Sequence, residues 1–461
     1  MLLGLMRRVP NVAARAFGPV LPVTGTKRKS TCPASSLRLA VFCTLGLIGH
    51  VYAWGAEIPL VWEKQEKLSG GIDEARAVTV SGKTVVVAGL TAAPFDGTDL
   101  VVRAYDVESG VPRWADQTPA TFGTLAPVFV TSTGHLAFVA GFTSTPETGQ
   151  DILVRAYDVK TGDVLWTDLL DKGGDDTPQG IAASSNVVVV VGYGGSGPGK
   201  AIDFLVRAYD PQTGDVLWED RVDHGVTVDD AAWAVAIDGN RVFVAGTTGT
   251  GAGRDLIVRA YGAHTGQLLW EFGRANTSAF RLAAEAGTLF VTANNFIAAL
   301  KASSGKLLWS DTSTVGTWLD ITAQTGRVVA VGFRGAGLTV AAFNARTGVI
   351  EWQDTTVPGP GGFHEFLVAV DVDSKAAYMA GVSGRDFVYS EVMLRAYDLK
   401  TGSLLLDARS HRGLASVAVD IAVKGDRVFV VGADDAGGAL TNRDFLVQAY
   451  EAKAIKRRIK R

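Results

Sequence analysis

Cysteine is almost absent from this chain of 461 residues, and its placement excludes several kinds of chemistry. Both cysteines, Cys32 and Cys43, lie in an N-terminal segment that we expect to be removed. The remaining chain then has no disulfide, no zinc site built on thiolates and no cysteine nucleophile.

Acidic residues are missing from the chain up to Ala56, whereas seven basic residues occur there. The basic residues are followed by an apolar stretch at 39–53, which is shorter than the roughly 20 residues of a membrane-spanning helix. This layout predicts a secretory signal peptide over 1–53, with cleavage after Ala53 or Ala56. We therefore expect a periplasmic or extracellular protein with no stable membrane span after cleavage. A mitochondrial transit peptide and an uncleaved anchor are the alternatives.

Positive charge is scarce in the body of the chain. The full sequence has a formal net charge of −3, and removal of the basic N-terminal segment makes the remainder more acidic. Nucleic-acid binding depends on neutralising phosphates, so we expect no nucleic-acid partner. The exception is the basic C-terminal tail at 453–461, which we predict to be solvated, with contact to an anionic surface as the alternative.

Long helical periodicity is also missing, and a repeat takes its place. The segment AYDVKTGDVLW at 156–166 recurs, complete or degraded, at 104–114, 208–218, 260–270, 299–309, 342–352 and 396–406. Each copy is preceded by short β-branched runs such as VVVVG at 188–192 and by glycine-rich turns. About four short strands per 40–50 residues are typical of propeller blades.

The two ends of the repeat array each contain half a unit. Trp62 has the setting of the motif tryptophan without the preceding turn, and Tyr450 has the preceding strand without the tryptophan. We therefore predict that a strand around 58–63 pairs with 445–450, because closure removes exposed strand edges. The prediction is an all-β, eight-bladed propeller of four-stranded blades over 57–452.

The motif Ala-x-Asp-x-x-Thr-Gly-x-x-x-Trp, complete at 156–166 and 208–218, resembles the tryptophan-docking motif of pyrroloquinoline-quinone (PQQ)-type repeats. The resemblance covers about 58–451 and implies an eight-bladed propeller whose motif residues join neighbouring blades. Some members are quinone-dependent dehydrogenases, and others are inert scaffolds such as the outer-membrane assembly protein BamB. The implied docking residues are Trp62, Trp114, Trp166, Trp218, Trp270, Trp309, Trp352, Gly110, Gly162, Gly214, Gly266, Gly305, Gly348 and Gly402.

Several other polar residues recur with the repeat. Arginines stand at one position of five blades, and we expect them to form structural ion pairs, Arg207 with Asp168 or Asp220. A ring of arginines that binds an anion is the alternative. Acidic pairs at 73–74, 175–176 and 229–230 are typical of turns that bind their own backbone, with a cation site as the alternative. The glycine-rich run at 192–199 is predicted to be a loop. Six scattered histidines show no paired metal-ligand spacing.

The functional prediction is a non-catalytic scaffold that binds a protein partner on a propeller face. A catalytic carboxylate should stand out from the repeat, whereas most acids here recur with it. We therefore predict no catalytic residue and no cofactor. The alternative is a PQQ-dependent dehydrogenase with bound quinone and calcium, although the cysteine pair of the larger alcohol dehydrogenases is missing. A propeller hydrolase or lyase is a third possibility.

Overall fold

The computed structural model describes 51–53, 60–93, 97–120, 124–145, 149–195, 201–225, 228–249, 254–312, 316–334, 337–356, 364–386, 389–410, 415–435 and 443–457. These residues form antiparallel sheets that follow one another along the chain, and each sheet is one blade. The predicted signal peptide lies outside the described residues except for its last three. No helix in the described ranges is long and apolar enough to cross a membrane.

The first four blades have similar strand lengths. Their strands are β3 Asp73–Ser81, β4 Thr84–Ala92, β5 Thr98–Asp106 and β6 Pro112–Thr118; β7 Leu125–Thr133, β8 Leu136–Thr145, β9 Gly149–Asp158 and β10 Val164–Leu170; β11 Thr177–Ala183, β12 Val188–Gly195, β13 Ile202–Tyr209 and β14 Val216–Val222; β15 Ala231–Asp238, β16 Arg241–Thr248, β17 Asp255–Gly262 and β18 Leu268–Arg274.

The next three blades and the C-terminal part of the eighth follow the same order. Their strands are β19 Ala279–Glu285, β20 Thr288–Ala293, β21 Phe296–Lys301 and β22 Leu307–Asp311; β23 Thr317–Gln324, β24 Arg327–Arg334, β25 Gly337–Asn344 and β26 Ile350–Thr355; β27 His364–Val372, β28 Ala376–Asp386, β29 Tyr389–Asp398 and β30 Leu404–Ser410; β31 Ser416–Lys424, β32 Arg427–Asp434 and β33 Asp444–Glu451.

The ring closes through the two ends of the chain, as the sequence predicts. The N-terminal strand β2, Leu60–Glu66, is the fourth strand of the eighth blade and runs antiparallel to β33. Leu60 faces Tyr450 and Trp62 faces Ala449 in this pairing. The first strand of each blade packs beside the first strand of the next, and β31 returns to β3. The eight-bladed, all-β prediction is therefore confirmed.

The core lies between the blades, because both faces of each sheet are covered by neighbouring sheets. The second and third strands read as continuous apolar runs, and β4 is buried from Thr84 to Thr91. The tyrosine at the end of the third strand is fully buried in several blades, with Tyr157 and Tyr209 both 0% exposed. Such two-sided burial makes each blade depend on its neighbours.

Two predictions about local structure are wrong in part. Of the glycine-rich run at 192–199, predicted to be a loop, 192–195 belong to β12 and 196–199 lie outside the described residues. A Cβ on Gly192 would lie 2.1 Å from the Thr177 carbonyl oxygen. Glycine there lets the neighbouring strand approach closely. The C-terminal tail is also not simply solvated: α1, Ala452–Lys456, follows β33, and Ile455 is only 1% exposed. Its burial beside Tyr450 and Leu406 holds the start of the tail against the ring.

Candidate functional site

The motif tryptophans lie at the seams between blades. Trp166 on the fourth strand of the second blade donates its indole N–H to the Pro211 carbonyl oxygen in the third blade, at 3.0 Å. Its ring lies against Gly214, whose φ of +76° suits glycine. A Cβ on that glycine would lie 2.6 Å from the ring.

The same arrangement recurs at seven of the eight seams, with indole donor distances of 2.8–3.0 Å. At the remaining seam, between the seventh and eighth blades, buried Leu406 takes the tryptophan position. The tryptophan–glycine pairs are Trp62–Gly110, Trp114–Gly162, Trp166–Gly214, Trp218–Gly266, Trp270–Gly305, Trp309–Gly348 and Trp352–Gly402. The repeated tryptophans are therefore used for packing between blades.

The repeated arginines also bridge the seams. Arg207 Nη1 lies 3.1 Å from Asp168 in the preceding blade, and Tyr209 donates its hydroxyl to the same carboxylate at 2.9 Å. The expected Arg207–Asp168 pair is thus confirmed. The expected Arg207–Asp220 pair is wrong, because Asp220 faces the following blade and pairs with Arg259 at 3.0 Å.

The resulting clusters of aspartate, arginine and tyrosine leave each arginine side chain mostly covered. At Tyr157, the hydroxyl donates to Asp116 at 2.8 Å, and burial raises the pKa of this phenol. A neutral phenol that donates to a carboxylate paired with arginine is a structural contact, with no proton to exchange near neutral pH. These arginines therefore do not form a free anion-binding ring.

The acidic pairs at the loops bind backbone amides. Asp73 is 0% exposed and accepts the N–H groups of Leu68 and Ser69 at 2.7 and 3.0 Å. Asp230 is also 0% exposed and accepts the N–H of His224 at 2.9 Å. This is the turn chemistry that the sequence predicts, with the carboxylate replacing the missing backbone acceptor of the loop.

Three carboxylates lie together in one cluster. Asp151, Asp171 and Asp176 place one oxygen each within 4.8 Å of one another. Burial raises the pKa of Asp176 to about 6, while the N–H groups of Lys172 and Gly195 donate to its oxygens. Carboxylate oxygens are the ligands that a hard cation prefers. Both oxygens of Asp176 already accept backbone N–H groups, as in the turn chemistry of Asp73 and Asp230.

A second set of acids lies on consecutive first strands and was missed by sequence analysis. Asp320 accepts the Val370 N–H at 2.9 Å, so its carboxylate crosses from the sixth blade to the seventh. Asp371 and Asp420 repeat this contact to the next blade, through Val423 N–H at 2.7 Å and Val78 N–H at 2.9 Å. The signal was an aspartate between apolar residues, in the sequences LDI, VDV and VDI, on the first strand of three successive blades.

Burial changes the ionisation of these first-strand acids. It raises the pKa of Asp371 to about 6 and the pKa of Asp420 to about 7, and the neighbouring carboxylates add to the effect. Arg281 lies 3.9 Å from Asp320. Because each carboxylate accepts a backbone N–H from the next strand, these acids join the innermost strands of the ring.

The histidines do not come together in the described chain. His224 is 48% exposed, and its Nδ1 lies 3.1 Å from Asp230 and 3.0 Å from Thr248 Oγ1. Both contacts use the same ring nitrogen, so this is not the relay of a nucleophile, histidine and acid, in which the two nitrogens have different partners. His50 and His411 lie outside the described residues.

The outer rim of the propeller has the most apolar exposed surface. Large apolar side chains are exposed along the fourth strands, mostly where these strands begin, with Val111 57% and Val349 62% exposed. In every blade except the seventh, the fourth strand is the last of its sheet. The other exposed members are Val164, Leu165, Leu169, Val216, Leu268, Leu269, Leu307, Leu308 and Leu404.

Solved structures share this fold at low sequence identity. Quinohemoprotein alcohol dehydrogenase from Comamonas testosteroni superposes with a TM-score of 0.59 and 14% identity, covering 86% of this chain and 76% of that one. BamB from Moraxella catarrhalis has a TM-score of 0.51 and 15% identity, covering 86% and 98%. The computationally designed Ika8 protein has a TM-score of 0.54 and 19% identity, covering 84% and 100%.

No protein of curated function matches the chain in sequence. A family model does match, and its description is outer membrane protein assembly factor BamB. The matched residues are 49–256 and 254–432, which together span seven blades completely and part of the eighth. The chain therefore belongs to the BamB-type family of PQQ-like repeat propellers.

Proposed function

We propose that this protein is an exported, non-catalytic scaffold that binds a protein partner through its propeller surface. The observation that carries this proposal is the outer rim, where exposed apolar side chains recur at or near the start of the outer strands, beside open strand edges. Exposed apolar surface of this kind marks sites of protein interaction, and an open strand edge offers unpaired backbone groups. The family match to an assembly factor supports the same proposal.

The repeated residues support a scaffold because they serve the seams. The tryptophans and glycines pack between blades, and the arginines and first-strand acids bond across them. A PQQ-dependent dehydrogenase remains the alternative, since the fold is shared with a quinohemoprotein alcohol dehydrogenase. Likeness at this identity concerns the fold, and function depends on the site.

Site-specific photo-crosslinking in the native envelope tests the scaffold proposal. A photoreactive residue at Leu169 or Leu308 should give a discrete crosslinked product, because both side chains are exposed on the rim. Lys160, exposed in a turn, is the matched control. The absence of a product from both rim positions, or the same product from Lys160, would contradict the proposal. N-terminal sequencing of the exported protein should find Trp54 or Glu57 first.

A further inference from the structure

The seventh blade carries a strand that the other blades lack. Strand β1, Val51–Ala53, runs antiparallel along the outer edge of β30 and makes a five-stranded sheet. In the register, Val51 faces Ser410 and Ala53 faces Ala408. An outer edge of this propeller therefore accepts an added extended segment.

Strand β30 differs from the other outer strands in the way its residues are covered. Two residues after the tryptophan position of the motif, Asp220 in the third blade is half-buried, whereas Ala408 in β30 is buried. One residue further, Arg221 is exposed, whereas Arg409 is half-buried. The Arg409 side chain is 22% exposed against 35% for Arg221. This greater coverage occurs where β1 pairs with β30.

The charged groups along this edge already have partners within the blade. Arg409 Nη2 lies 2.7 Å from Glu365, and Arg395 lies 3.1 Å from both Glu365 and Asp407. Arg409 also contacts Asp407, and Glu391 is a third carboxylate that acts on it. Because these side chains pair within the blade, an added strand joins through its backbone and needs no charge of its own. Val-Tyr-Ala, the segment paired there, is uncharged.

The connection to the rest of the chain explains why this segment reaches this edge. Residues 54–59 join β1 to β2, the outer strand of the adjacent eighth blade. Six residues span at most about 20 Å, so β1 cannot move far from β2. Tethering raises the effective concentration of β1 at β30, and predicted cleavage after Ala53 would remove that tether.

We propose that the outer edge of β30 is a strand-docking site, filled by Val51–Ala53 in the precursor and by an uncharged extended segment of a protein partner after cleavage. The mode is β-strand addition, in which main-chain hydrogen bonds give affinity and side chains give register. The part that concerns the partner rests on the proposed scaffold function.

Disulfide trapping tests the docking in the full chain. With Cys32→Ser and Cys43→Ser, the chain has no other thiol, so Val51→Cys combined with Ser410→Cys reports on one contact. Facing residues in antiparallel strands have Cα atoms about 4.5–5.5 Å apart, within the range for disulfides. We expect rapid disulfide formation. The matched control pairs Val51→Cys with Thr118→Cys, at the corresponding position of β6 in the first blade.

A peptide experiment tests docking after cleavage. A labelled peptide of residues 49–55 should bind saturably to a chain that begins at Glu57. With Val51→Cys, this peptide should crosslink to Ser410→Cys at least about tenfold faster than to Thr118→Cys, because only the former edge aligns it for a disulfide. Equal rates at the two sites, or no saturable binding, would overturn the strand-docking site.

The two proposals fail in different ways. If photo-crosslinking captures a partner that the peptide 49–55 does not displace, the strand-docking proposal is wrong for the partner and the scaffold function stands. If the peptide docks on β30 but no rim position captures a partner, the docking edge stands and the scaffold function fails. Displacement of a captured partner by the peptide supports both.

Discussion

The glycines under the motif tryptophans give a sharp test of the blade seams. Gly214→Ala adds a Cβ that would lie 2.6 Å from the Trp166 ring, at a φ of +76°. Gly134→Ala is the matched control, because Gly134 has a φ of +57° and nothing within 4 Å of its added Cβ. The two substitutions share the backbone cost and differ in the contact.

The expected losses follow from these two geometries. A left-handed backbone costs an alanine about 1–2 kcal/mol, and this is the loss that we expect for Gly134→Ala. Overpacking adds about 1–3 kcal/mol, so Gly214→Ala should lose roughly 2–5 kcal/mol of unfolding free energy. Urea unfolding followed by tryptophan fluorescence and circular dichroism measures both, provided that the two signals change together.

A double-mutant cycle separates contact from backbone strain. Trp166→Ala alone should cost about 3–5 kcal/mol, as for large aromatic truncations in cores. Once the ring is gone, Gly214→Ala should retain only its backbone cost, so the double variant should be about 1–3 kcal/mol more stable than the sum of losses predicts. Equal losses at Gly214 and Gly134, or strict additivity with Trp166→Ala, would refute the seam argument.

Three further predictions concern closure, pH dependence and the polar seams. Deleting 60–66 should lower the melting temperature more than deleting 453–461, because the first deletion exposes the edge of β33. The tail deletion should still lower the melting temperature measurably, since Ile455 is buried. Burial raises the pKa of Asp420 to about 7 in the folded protein. The contribution of this carboxyl to the free energy of unfolding is therefore largest below about pH 4, where it is protonated in the folded and unfolded states, and is lost as the pH rises towards 7. Asp420→Asn should therefore flatten the melting temperature between pH 4 and 7 and raise it above pH 7; an unchanged profile would contradict this. Tyr157→Phe removes one hydrogen bond to the Asp116 carboxylate. It should lower the free energy of unfolding in urea by about 0.5–3 kcal/mol, and no loss would show that this contact does not stabilise the seam.

The repeat made most of the fold predictable. Half-units at Trp62 and Tyr450 predicted both the number of blades and the closing strand pair, because a ring must match its ends. The sequence did not show which neighbouring blade a side chain faces. Asp168 and Asp220 both lie two residues after a motif tryptophan, and each accepts a hydrogen bond from an arginine of the following blade.

Besides the first-strand acids, sequence analysis missed two short segments outside the repeat. The helix α1 has five residues and two basic side chains, and its docking depends on the burial of Ile455 rather than on any periodicity. Strand β1 has three residues at the end of a predicted signal peptide, so its pairing depends on the geometry of the adjacent blade. Short segments carry too little pattern to predict their tertiary contacts.

The most direct test of the scaffold proposal is an assay for the alternative activity. Purified protein that begins at Glu57 would be mixed with pyrroloquinoline quinone and calcium, and quinone binding and dye-linked oxidation of alcohols and sugars would be measured together. The account predicts no saturable quinone binding and no substrate-dependent dye reduction. Saturable quinone binding with substrate-dependent turnover would contradict it and would identify the protein as a dehydrogenase.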